Sequence, residues 1–109
     1  MEPLLVLTNL PDAASAEKLA HALIESRAAA CVNVLAPCRS IYRWEGRVET
    51  AAEIPLLIKT TRTAYPLVEE IVRVQHPYDV PELIAIPITH GLPAYLDWLA
   101  TETDRHDEE

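Results

Sequence analysis

The chain has 109 residues and a mass of 12.2 kDa, enough for one domain with one core. Half of it is hydrophobic and 24% is charged, a balance that supports packing and argues against disorder. Seventeen acids against nine Lys and Arg give a net charge of -8, which repels phosphate backbones, argues against nucleic-acid binding and favours cations.

No window approaches the roughly 18 apolar residues of a membrane span, and the N-terminus lacks the layout of a secretory signal. The expectation is a cytoplasmic protein without a membrane partner. Cys31 and Cys38 are too few for a disulfide framework, and the spacings C-x-x-C, H-x-H, H-E-x-x-H and the calcium loop are missing. Two glycines cannot build a phosphate-cradling loop.

In chain order, Leu4 to Asn9 is an apolar run ended by Pro11 and Asp12, which suits a strand buried on both faces. Ala16, Leu19, Ala20, Leu23 and Ile24 follow helical spacing, with Asp12 or Ser15 as the N-cap. Cys31 to Leu35 predicts a second strand. After a turn containing Pro37, Ser40 to Trp44 and a return from Arg47 predict a hairpin around Glu45-Gly46. The return strand runs to Thr60, and Pro55, which has no N–H to give a ladder, predicts a bulge or an edge position. Ala64 to Gln75 reads as a helix with Pro66 in its first turn, and Leu83 to Ile88 as the last strand. Pro93 opens a third helix with Tyr95, Trp98, Leu99 and Glu102 on one side. From Thr101 onward apolar character is lost, so fraying is expected there; the domain is placed over residues 1–103, followed by an acidic, disordered tail over 104–109.

Strand, helix, strand, strand, helix, strand is a doubled split βαβ unit, so the fold class is α+β and ferredoxin-like, with an extended hairpin and a C-terminal helix. The two main helices cover one sheet face, yet the first and last strands are apolar at both parities. Something must cover the second face. A homo-oligomer, with Tyr42 and Trp44 of the hairpin at its interface, follows.

Ala29 to Val34 (AACVNV), Ser40 to Gly46 (SIYRWEG), Leu57 to Thr61 (LIKTT), His76-Pro77-Tyr78 with Val80 to Ala85 (VPELIA), and Tyr95 to Leu99 (YLDWL) resemble the CutA family of divalent-cation tolerance proteins. The likeness covers Leu4 to Thr101 in order and spacing. It implies a homotrimer similar in architecture to the PII signalling proteins, with sheets inward and helices outward. It also implies binding of copper or another divalent metal ion, with no enzymatic reaction and no organic cofactor attached to the name.

Within those blocks Cys31, His76 and Glu82 are the candidate metal ligands. A thiolate, an imidazole and a carboxylate suit copper or a borderline ion if folding converges them. Each has a structural alternative: Cys31 as a small core hydrophobe, His76 and Glu82 as supports of the turn between Pro77 and Pro81. Lys59 ends an apolar strand and calls for an acidic partner such as Glu82 or Glu53. Lys59, Tyr78 and Trp44 are the candidate cleft residues. The competing function is a PII-like signalling or small-anion-binding scaffold whose intersubunit cleft uses Lys59, with metal binding incidental. A cysteine-dependent hydrolase built on Cys31 and His76 is a third reading.

Overall fold

The computed structural model of the chain describes residues 1–104. Strand β1 (Pro3–Leu10) is the axis of the sheet: it pairs antiparallel with β4 (Arg47–Thr61) on one side and with β5 (Ile84–Pro87) on the other. β2 (Cys31–Val34) adds to the far edge of β4, giving the order β2-β4-β1-β5, and β3 (Cys38–Trp44) forms the hairpin with the first half of β4. All pairings are antiparallel, and this five-stranded sheet with three helices makes an α+β fold.

Helix α1 (Ala13–Glu25) starts where predicted, and the structure chooses between the two caps. The Asp12 carboxylate accepts from the Ser15 backbone N–H at 2.7 Å, which satisfies an otherwise orphaned donor and lowers the Asp12 pKa. Helix α2 (Tyr65–Gln75) has Pro66 in its first turn, where no N–H is needed, and Val68 and Val72 point into the core. α1 and α2 pack on each other and on the same sheet face. Leu4, Val6 and Leu10 of β1 meet Leu56 and Ile58 of β4 and Leu19, Leu23, Val68 and Val72 of the helices there. Thr8 shares this face at 1% exposure, and its hydroxyl has no hydrogen-bond partner among the described residues.

The hairpin turns at Glu45 and Gly46, both with positive φ (50° and 78°), between the paired Trp44 and Arg47. Two left-handed residues match the twist of the flanking strands. Pro55 departs from expectation. It lies in mid-strand, in unbroken register with Asn9 of β1. The irregularity is across from it: three residues separate Val34 from Cys38, while two separate Leu56 from Glu53, so the β2–β3 side carries one extra residue. Pro55 accepts the Leu35 N–H at 3.0 Å on that side, and its missing N–H would have pointed the same way, into a ladder already interrupted.

Two further expectations are corrected. The strand expected from Ser40 already begins at Cys38, the first residue of β3. Thr101 and Glu102 do not fray; they complete helix α3 (Pro93–Glu102), and Thr103, 8% exposed, caps it by donating from Oγ1 to Leu99 O at 2.9 Å. Arg27, in the left-handed position after α1, donates to the carbonyls of Thr101 and Glu102 and ties that end down. Of the tail expected over 104–109, residues 105–109, His106 included, lie outside the described residues.

Candidate functional site

The segment after α2 is held by one residue of β1. His76 caps α2, and its Nδ1 accepts the Tyr78 backbone N–H at 3.1 Å, so Nε2 carries the proton and donates to Asn9 O at 2.6 Å. The Asn9 side chain meanwhile donates from Nδ2 to Glu82 Oε1 at 2.9 Å. Asn9 therefore clamps both ends of the 76–82 connection, and the two prolines between stiffen it.

Clamped in this way, the connection faces the hairpin across a cleft of about 600 Å³. Tyr78, Asp79 and Glu82 line one side, Tyr42 and Trp44 the other. Glu53 of β4 lies between them, 7% exposed. The Tyr78 hydroxyl donates to Glu53 Oε2 at 2.9 Å, and burial followed by that carboxylate pushes the phenol up to about 12. Among the described residues neither Lys nor Arg lines the cleft.

Cys31 is elsewhere. It pairs with Lys59, whereas Asn9 pairs with Pro55, four residues further along β4 and roughly 13 Å away at strand rise. His76 and Glu82 meet through Asn9, and Cys31 does not join them within one subunit. Among the described residues no three His, Cys, Asp or Glu side chains are grouped to hold a metal ion.

The acidic partner expected for Lys59 is also corrected. Its ammonium donates to Asn33 Oδ1 and sits 3.9 Å from Cys31 Sγ. Parity explains this. Lys59, Asn33 and Cys31 share the second sheet face at one end of β4, and Glu53 lies six residues down the same strand. Lys59 thus stands outside the cleft that Tyr78 and Trp44 do line. Tyr95 and Trp98 are outside it as well, packed with rings 5.6 Å apart on α3; burial and then the Cys31 thiol raise the Tyr95 phenol.

Sequence reasoning gave Glu53 only as a partner for Lys59 and passed over Asn9. A signal existed for Glu53, which is a lone acid beside the apolar run Ile54 to Ile58 and so needs a donor if buried. Asn9 had only its place at the end of an apolar strand.

The CutA1 divalent ion tolerance protein family model matches residues 4–102 of this chain. The chain belongs to that family. The divalent-cation tolerance protein CutA of Thermus thermophilus is 48% identical over 98 residues, covering 90% of this chain and 95% of the relative. A solved structure of the divalent cation tolerance protein from Thermus thermophilus superposes with a TM-score of 0.92 at 46% identity, over 94% of this chain and 99% of that one. The chloroplastic protein CutA of Arabidopsis thaliana is 40% identical over 100 residues, 92% of this chain and 55% of the relative. That relative is named for the chloroplast and a solved CutA of Archaeoglobus fulgidus for the periplasm, and in this chain no helix among the described residues is long and apolar enough to cross a membrane.

Proposed function

We propose that this CutA1-family chain is a cytoplasmic, non-catalytic homotrimer that binds copper or another divalent metal ion as cargo in metal tolerance. The subunit is read as ferredoxin-like and similar in architecture to PII proteins; the order β2-β4-β1-β5 with both main helices on one face supports that reading. The metal reading draws support from the family and from the names of its relatives, and from a net charge of -8 that concentrates cations at the surface.

One observation carries the assembly. Alternate residues put Leu5 and Leu7 of β1, Leu57 of β4 and Ile84 and Ile86 of β5 on the second sheet face in matched register, and Ile84 and Ile86 are about half exposed. An apolar face of that kind on a small subunit calls for a partner, and other copies of the same face are the economical one. Cys31, His76 and Glu82 remain the proposed donors. Since Cys31 stands apart from the other two in one subunit, a site using all three is shared between subunits, and His76 enters it by exchanging the Tyr78 N–H on Nδ1 for the ion.

Calorimetric titration of the reduced protein with Cu(I), Cu(II) and Zn(II) tests the reading, in a chain ending at Thr103 so that His106 cannot contribute. Binding that weakens about tenfold or more in Cys31→Ser and Glu82→Gln is expected, because each removes one donor from a small set. Binding that ignores both variants, or that vanishes with residues 104–109, places the ion elsewhere. The small-anion alternative would need Lys59 in a cleft between subunits, since Lys59 does not line the cleft within one subunit.

A further inference from the structure

We propose that the cleft between the hairpin and the 76–82 connection binds a small organic ammonium ion, with Glu53 and Glu82 meeting its charge and Tyr42, Trp44 and Tyr78 its alkyl groups.

The charge of the lining selects the sign of the ligand. Three carboxylates, those of Glu53, Asp79 and Glu82, face the cleft, and among the described residues no Lys or Arg does. Glu53 is the one that matters most. It is 7% exposed, its one described hydrogen bond comes from the neutral Tyr78 hydroxyl, and among the described residues no cation pairs with it. A carboxylate held out of water with a single neutral donor is short of positive charge, and a cation entering the cleft supplies it.

The walls select the kind of cation. Tyr42, Trp44 and Tyr78 line the space with aromatic rings and are 43%, 48% and 37% exposed in the single subunit. Ring faces attract a diffuse alkylated cation, which sheds water easily. A bare metal ion needs several oxygen, nitrogen or sulfur donors converging on one point. The acids here are instead spread around the cleft, and no three donors are grouped among the described residues. The volume of about 600 Å³ lies inside the roughly 300–1,000 Å³ of organic-ligand sites.

The site is also built before any ligand arrives. Asn9 fixes the 76–82 connection at His76 and Glu82, Tyr78 is fixed by its hydrogen bond to Glu53, and the two-residue turn fixes the hairpin that carries Trp44. Little ordering is left to be done on binding.

Tetramethylammonium chloride titrated into the full-length reduced protein, at constant ionic strength, tests the proposal by calorimetry and by tryptophan fluorescence. Saturable binding is expected, with little or none for the neutral counterpart tert-butanol. Trp44→Leu and Glu53→Gln should each weaken it about tenfold, on the scale of a lost desolvated cation–π or ionic contact. Trp98→Leu, on α3, should leave the affinity unchanged. Should Glu53→Gln fail to fold, Glu82→Gln takes its place with the same expected direction. Equal binding of tert-butanol, affinity indifferent to Trp44 and to both acids, or no saturable binding because a neighbouring subunit fills the cleft would each overturn the proposal.

Discussion

The two faces of the central sheet are made from the same strands and both carry aliphatic side chains, yet they end in different states. On one, Val6, Leu56 and Ile58 are fully buried under α1 and α2. On the other, Leu5, Leu7 and Leu57 are partly exposed, and Ile84 and Ile86 stand at 51% and 47%. The first face is a core that the chain completes alone. The second is an apolar face that the chain leaves open, and the proposed assembly rests on it. Both faces carry aliphatic residues; helix placement decides which of them are buried within the chain.

The sharpest way to break the comparison is to charge the second face. Leu7→Asp, or Ile86→Asp on the edge strand, should reduce the mass seen by light scattering from about three times 12.2 kDa to that of one chain, while circular dichroism retains the native pattern. An unchanged mass would show that this face holds no assembly. On the first face the damage should appear in folding. Ile58→Ala deletes fully buried atoms under two helices and should cost about 2–5 kcal/mol in denaturant unfolding, with the assembly lost only as the subunit unfolds.

The first face also contains a flaw that can be repaired. Thr8 is buried among aliphatic side chains with its hydroxyl unpaired among the described residues, so Thr8→Val keeps the shape and removes the desolvation cost. An increase of about 1 kcal/mol in unfolding free energy is expected. A decrease would reveal a partner for the hydroxyl.

The smallest effect belongs to the cleft at the end of the second face. Tyr78 has a folded pKa of about 12 against the ordinary 10.0, so the neutral phenol is the form that folding favours. Its contribution is complete below pH 10 and is lost as pH rises through about 12. The stability difference between the native protein and Tyr78→Phe should therefore be constant up to about pH 10 and shrink beyond it, as followed by urea unfolding across that range. A difference that does not change with pH would mean that the phenol titrates alike in both states.

The elements were legible because their signals are local. Helical spacing from Ala16 to Ile24, the Glu45-Gly46 turn and the apolar runs of β1 and β5 each involve neighbours in sequence. The open second face was legible too, since apolar residues at both parities with helices enough for one face is a matter of counting. Pro55 was less legible. Its missing donor was evident, but the ladder that it faces depends on where β2 and β3 change register.

The site followed the opposite rule. The sequence by itself determined that an imidazole and a carboxylate would bracket a stiff connection at His76 and Glu82. Only the tertiary structure decided that both are held by Asn9, 67 and 73 positions away, which leaves the His76 ring with a donor and an acceptor already engaged. It likewise decided that Tyr78 rather than Lys59 meets Glu53, and that Lys59 turns to Asn33 and Cys31. Partners of this kind are set by strand register, and moving a strand by one residue sends every side chain to the other face. No local pattern along the chain carries that information, because the hydrogen bonds that fix the register close only when distant strands meet.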